Sequence, residues 1–293
     1  MFEQMWWGVV IGMFFVGIMN KVPREYFQVL MGKGDTFGGI CRAVVAGVFL
    51  DLCSHGILLV AAKLYERGVS FAQVMAFLIA SPWNSLSLTI ILISLVGLKW
   101  TLVYIAGSCI VALVSGLVYV ALIKSGALPD NPNTMQISSD FSLRKDAAAR
   151  LKSFRPTPAF FGDIIKGGIV ESKMLVRWLL LGIAIAAALQ SLIPDQIFSE
   201  WMGPTLIGLG ITLIAATIIE VCSEGSVPIA SVIFHKAAAP GNAFTFLMAG
   251  VSTDYTEMLI LRQMTGSWKI ALSMPLVTVP QILLLGYIMN MAH

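Results

Sequence analysis

The chain has 293 residues, 57% of them hydrophobic and only 12% charged, with a net charge of +3 and a mean hydropathy of +0.85. Soluble domains carry roughly 25% charge, so this composition excludes a soluble enzyme and gives no case for nucleic acid. About eight spans of ~20 residues fill the length and leave no room for a catalytic domain outside the bilayer.

The elements follow in chain order. The start, Met1-Phe2-Glu3-Gln4, lacks a basic n-region, so the first crossing (residues 5–19, with Trp6-Trp7 as interfacial anchors) reads as a retained helix. Residues 20–33 contain Pro23 and then Tyr26, Phe27, Val29, Leu30 and Met31, the pattern of an amphipathic interfacial helix. Residues 37–65 are apolar but interrupted at Cys53-Ser54-His55-Gly56. Each arm is too short to span ~30 Å alone, so the stretch is one broken helix or a re-entrant hairpin. A second broken element covers residues 70–96, with its interruption at Ser81-Pro82-Trp83-Asn84-Ser85. There Pro82 removes a donor, and Asn84 and the serines can satisfy freed backbone groups. Residues 100–123 form a conventional span.

Residues 124–173 differ. Pro129-Asp130-Asn131-Pro132-Asn133 is a linker signal, and Arg144, Lys145, Arg150, Lys152, Arg155 and Lys166 place this connector in the cytoplasm by the positive-inside rule. The plan then recurs: a span near residues 174–189, an interfacial helix near 194–203, broken elements at 206–234 and 240–264, and a last span at 268–289. The domains are therefore a first membrane repeat (1–123), the connector (124–173) and a second membrane repeat (174–293).

An alignment supports this division. Cys53-Ser54-His55-Gly56 recurs as Cys222-Ser223-Glu224-Gly225, an offset of 169 residues (222 − 53) that holds without a gap from Asp51 to Ala80. Seven of the 30 aligned positions are identical, against about three by accident in so apolar a chain. The expected fold is an all-α polytopic membrane protein of two homologous halves, with broken or re-entrant helices and about eight crossings or more. Membrane proteins that duplicate a polar, glycine-containing break use it to build one site from two halves.

These residues resemble the ArsP-type permeases, whose best-known members export trivalent organoarsenicals and which carry paired breaks of the form Cys-Ser-x-Gly-x-x-Pro. Cys222-Ser223-Glu224-Gly225-Ser226-Val227-Pro228 fits that form, as does the run from Gly241 to Gly250. The first half departs from it. His55 stands where members often have a second cysteine, and Leu59 where the proline would be. The resemblance implies a permease of the inner membrane that exports a soft metal or metalloid species of the trivalent-organoarsenical kind, coupled to protons through a midplane site between the two breaks.

The chemistry of the breaks is read from the residues themselves. Freed backbone groups at a helix break need partners inside the bilayer, and half-helix ends coordinate ions or anionic groups when the break lines a cavity. Cys53, Ser54, His55, Gly56, Cys222, Ser223, Glu224, Gly225 and Asn84 are the expected substrate-binding residues. An isolated carboxylate in the bilayer costs on the order of 3 kcal/mol or more. Asp51, Glu220, Glu224, Asp254 and Glu257 are therefore the expected proton- or cation-coupling residues. Cys53, His55, Cys222 and Glu224 together form a ligand set for a soft or borderline metal such as Zn²⁺ or Cu⁺, or for a thiol-reactive metalloid.

The bland readings stand beside these: a packed kink at each break, a hydrogen-bonded interior histidine at His55, and a salt bridge from Glu224 to Lys63, Arg42 or Arg262. The 15 methionines are scattered and read as packing. Walker A, HExxH and GxSxG motifs are absent from the sequence, which leaves ATP-driven pumping and common hydrolase chemistry without support. The expected partners are a small-molecule or ion substrate and the lipid bilayer, with a homo-oligomer compatible, and no cofactor is expected. A Zn²⁺ or Cu⁺ transporter, an intramembrane thiol redox protein and a channel are the competing readings.

Overall fold

The structure is a computed structural model that describes residues 24–32, 34–50, 54–80, 86–134, 201–219 and 223–292. Among these residues the regular structure is helical: α1 (Arg24–Met31), α2 (Phe37–Phe49), α3 (Ser54–Glu66), α4 (Phe71–Ile79), α5 (Leu86–Val96), α6 (Leu98–Lys124), α7 (Leu206–Ile219), α8 (Ser223–Lys236), α9 (Pro240–Ser252), α10 (Tyr255–Thr265) and α11 (Trp268–Met291). The expected crossing at residues 5–19, the connector from residue 135 and the span near 174–189 lie outside the described residues. Among the described helices, α6 and α11 alone are long and apolar enough to cross a bilayer unaided.

In the first part, α2 and α4 start together and run the same way. Thr36 caps α2 by accepting from the Gly39 N–H at 3.2 Å. Ser70 caps α4 by accepting from the Gln73 N–H. The Gln73 amide reaches the Gly39 carbonyl at 3.2 Å near both starts, and Gly47 lies against Phe77 and Ala80 near both ends. A Cβ at Gly47 would come within 2.5 Å of the Phe77 carbonyl, so the glycine is what allows this close approach. Because α3 leaves the far end of α2 and reaches the start of α4, it must run back. α2 and α3 therefore run as the two arms of a hairpin rather than as one broken helix.

The second broken element behaves differently. α4 lies antiparallel to α6, with Phe71 edge-on to Tyr119 at 5.4 Å and Ala76 beside Gly116. α5 packs on α6 and α8 rather than folding back on α4. It therefore carries the chain onward to Gly97, whose φ of +86° makes the reversal into α6. α4 and α5 thus travel the length of α6 in two pieces.

The second part is laid out in step. Phe37 and Leu206, Ser54 and Ser223, Phe71 and Pro240, and Leu86 and Tyr255 each open a helix 169 residues apart. Thr205 accepts from the Gly208 N–H as Thr36 does from Gly39. Gly266, at φ +70°, makes the reversal from α10 to α11 as Gly97 does from α5 to α6. Gly286 seats against Leu209 and Thr245, as Gly116 seats against Ile40 and Ala76.

The two parts meet along α6 and α11. Tyr119 Oη and Ser273 Oγ are 3.2 Å apart, Gln281 Nε2 donates to Ser115 Oγ at 2.9 Å, and Gly107 lies against Met289. As the numbers rise on α6 they fall on α11, so these helices run antiparallel. The Tyr104 hydroxyl adds a bond to the Pro240 carbonyl, 2.9 Å, at the start of α9. The end of α6 at Lys124 leads to the connector. Asn131 holds the connector's first residues there, donating to the Tyr65 and Val69 carbonyls at 2.7 Å each. This end is called the connector face below.

Candidate functional site

Four short helices, α3, α5, α8 and α10, begin beside a break and run outward. α3 and α10 end on the connector face, and α5 and α8 on the opposite face. Their flanking residues are those singled out from the sequence. Asp51, Cys53, Asn84, Glu220 and Cys222 lie outside the described residues. Ser54, His55 and Gly56 form the first turn of α3, and Ser223, Glu224 and Gly225 the first turn of α8. Gly56 is buried. Each returning arm has a neighbour from the other part of the chain: α8 lies beside α5, and α3 touches α10.

Four helix N-termini aimed inward carry chemical meaning. Each end carries a partial positive charge, which stabilises carboxylates or an anionic group. Among the described residues, two acids lie at one of these ends, the start of α10. Asp254 is the N-cap of α10, and its Oδ1 accepts from the Thr256 N–H at 2.6 Å. Glu257 lies in the first turn of the same helix and is 4% exposed. Their i, i+3 spacing alone predicts that both acids share one helix face. Asp254 instead precedes the helix, and only Glu257 is buried within it. A hydroxyl pair lies alongside: Thr217 Oγ1 and Thr253 Oγ1 are 2.6 Å apart and join the end of α7 to the end of α9.

Two of the three cations considered as partners for Glu224 have contacts of their own. Lys63 is buried and its Nζ lies 2.9 Å from Glu66 Oε2. The Arg262 guanidinium stacks 4.4 Å from the Trp268 ring. Among the described residues, three or more metal-ligating side chains do not come together. The side chains of Cys53, His55, Cys222 and Glu224 are not among those described.

Two buried amides escape a reading of the sequence. Gln73 Nε2 donates to the Met31 carbonyl at 2.7 Å and to the Gly39 carbonyl at 3.2 Å. Asn242 Nδ2 donates to the Met202 and Gly203 carbonyls at 3.1 and 3.0 Å. The signal is present, since Gln73 and Asn242 are aligned at the same offset as the cysteines. His235 reads from the sequence only as an interfacial charge, yet its Nε2–H reaches the Leu95 carbonyl at 2.7 Å, tying α8 to α5.

Over residues 1–291 the sequence matches the model of the family described as "Predicted permease", ArsP_1. The chain belongs to the ArsP_1 predicted permease family. Its relatives include "UPF0718 protein YcgR" of Bacillus subtilis (strain 168), 25% identical over 263 residues, covering 86% of this chain and 82% of the relative. "Putative permease Rv2963" of Mycobacterium tuberculosis is 24% identical over 242 residues, covering 78% of this chain and 59% of that longer protein. "UPF0718 protein MJ0584" of Methanocaldococcus jannaschii is 22% identical over 310 aligned positions, with 86% and 82% covered. No solved structure matches. This ArsP_1 chain is a membrane transport protein, and its partners are a small molecule or ion and the bilayer.

Proposed function

We propose that this ArsP_1 permease is a secondary carrier of two homologous, inverted halves that exports a soft metalloid species of the trivalent organoarsenical type, coupled to protons. The single observation that carries the carrier reading is the antiparallel run of α6 and α11. These helices occupy equivalent places in the two halves, and equivalent spans pointing opposite ways define an inverted repeat. Each half then has three crossings: the apolar stretch that opens it, the two-piece path such as α4–α5, and the long helix. The remaining apolar stretch turns back as a hairpin. This gives fewer full crossings than length alone suggests, because the hairpins consume apolar sequence without crossing.

The substrate is bound between the two Cys-Ser-x-Gly breaks. Cys53 and Cys222 supply soft ligands, Ser54, Ser223, Gly56, Gly225 and Asn84 supply polar groups and close backbone, and His55 and Glu224 complete the set. Asp51, Glu220, Glu224 and Glu257 carry charge compensation and proton transfer. The inward N-termini support this reading, since they lower the cost of keeping carboxylates inside a bilayer.

Orientation follows from charge. Arg42, Lys63, Arg67, Lys124, Arg262 and Lys269 lie toward the connector face, and Lys99 and Lys236 toward the other. The positive-inside rule then makes the connector cytoplasmic in a multi-pass inner-membrane protein.

The test is transport in proteoliposomes with a trivalent methylated arsenical, Zn²⁺ and Cu⁺ as separate probes, in the wild type and in Cys53→Ser, Cys222→Ser and Glu224→Gln. Arsenical flux that responds to a pH gradient and is lost in all three variants supports the proposal. Full activity of Glu224→Gln, or flux of a metal ion alone, overturns the site or the substrate class respectively.

A further inference from the structure

An inverted repeat has a property that a single structure exposes: contacts that are equivalent by the internal symmetry need not be equal. Here they are not. α5 and α8 lie packed side by side, whereas α3 and α10, their counterparts, only touch. The lengths do not explain this, since α5 and α10 have 11 residues each and α8 and α3 have 14 and 13.

The packed pair is closed by specific bonds. His235 Nε2–H donates to the Leu95 carbonyl at 2.7 Å, and Phe234 sits edge-on to Trp100 with ring centroids 5.8 Å apart. All four residues lie where α5, α8 and α6 reach the face opposite the connector.

The equivalent residues at the connector face are differently engaged. Glu66 stands in the place of His235 and holds Lys63. Tyr65 stands in the place of Phe234 and turns its ring edge to Phe71 within its own half, at 6.3 Å. Met264 holds the place of Leu95, and Ile270 that of Trp100, because along the long helices the offset grows by one residue to 170 (268 − 98), as the starts of α6 and α11 at Leu98 and Trp268 show.

We infer that α5–α8 and α3–α10 are two alternating gates on opposite faces of the permease, the first shut and the second parted in this structure. This rests on the reading of the protein as a carrier with inverted halves. Exchanging the conformations of the halves would shut the second gate, bringing Glu66 beside the end of α10 at Met264 and Tyr65 toward Ile270, while His235 leaves Leu95. The two arrangements are related by symmetry, so neither needs a fold the chain does not already adopt.

The experiment uses the full chain in membranes, with a protease site in the connector after Thr134, so that only a cross-link keeps the two halves together. A short bifunctional methanethiosulfonate, released by thiols, is applied to Leu95→Cys/His235→Cys, to Glu66→Cys/Met264→Cys, and to a variant carrying all four cysteines. The proposal expects both pairs to link, the first faster. It expects one link or the other in any single four-cysteine molecule, and each link to stop uptake of a trivalent methylated arsenical by everted vesicles, until thiol restores it, beyond the loss that the same reagent causes in the wild type through its native Cys53 and Cys222.

Two links in the same molecule overturn the gates, as does a Glu66/Met264 pair that never links in a protein that still transports. Flux that continues through a linked protein overturns the carrier reading itself, which is a different failure. The exclusivity of the links is read without any substrate. Val96→Cys/Lys236→Cys and Arg67→Cys/Thr265→Cys repeat the measurement one position along, in case the first pairs disturb folding.

Discussion

Gln73 and Asn242 hold equivalent segments by equivalent bonds. Gln73 fastens the carbonyls of Met31 and Gly32, and Asn242 those of Met202 and Gly203. Each is at most 1% exposed. Each therefore pins the segment ahead of a hairpin to the helix that the hairpin straddles.

Replacing either amide with leucine leaves buried carbonyls without a donor, at a cost of about 1–3 kcal/mol. Gln73→Leu and Asn242→Leu should therefore lower the unfolding temperature in detergent by clearly more than leucine at an exposed polar site. Asn242 also accepts from Asn290 Nδ2 at 2.7 Å. A double-mutant cycle on this pair should show coupling, whereas Gln73 with Asn290 should be additive.

Gly241 and Gly286 let α9 and α11 touch backbone to backbone. A Cβ on Gly241 would collide with the Gly286 carbonyl, and one on Gly286 would lie 2.5 Å from Thr245 Oγ1. Gly241→Val should abolish folded protein on size-exclusion chromatography. Gly210→Ala is the control. A Cβ there meets nothing within 4 Å, and a helix interior gains about 0.5–1 kcal/mol from alanine.

Gly97 tests backbone conformation without packing. A methyl group there would also meet nothing within 4 Å, yet the residue's φ is +86°. Gly97→Ala should therefore destabilise by about 1–2 kcal/mol, opposite in sign to Gly210→Ala, as read by the same detergent melt.

Much of this architecture was legible in the sequence because the Cys-Ser-x-Gly repeat carries its own register. The offset between Cys53 and Cys222 is also the offset between helix starts at Ser54 and Ser223 and at Leu86 and Tyr255. Direction was not legible. Apolar runs such as 37–65 and 70–96 look alike, because hydropathy records burial and not whether a chain returns. Only the seat of Gly47 on Phe77 and the hand-over from α5 to α6 at Gly97 tell the hairpin from the two-piece path. The amide clamps were not legible either, because a lone Gln or Asn in an apolar run gives no hint of which carbonyls it will meet. The connector-face pattern was partly visible, but its anchoring through Asn131 to Tyr65 and Val69 depends on a long-range contact.

Asp254 and Glu257 look like partners in one task by their spacing, and their positions divide them. Asp254 caps α10 through the Thr256 N–H, a role that asparagine fills equally well and alanine does not, at about 1 kcal/mol. Glu257 lies buried one turn on, where a carboxylate needs a functional reason to persist. Asp254→Asn should keep both stability and pH-gradient-dependent transport, and Asp254→Ala should lose stability first. Glu257→Gln should leave the melting temperature near wild type while removing the response of arsenical flux to the pH gradient. The two variants are compared in the same proteoliposomes, with the gradient imposed and then collapsed by an ionophore. A Glu257→Gln protein that still follows the gradient would move proton coupling to the acids beside the cysteines, Asp51 and Glu220.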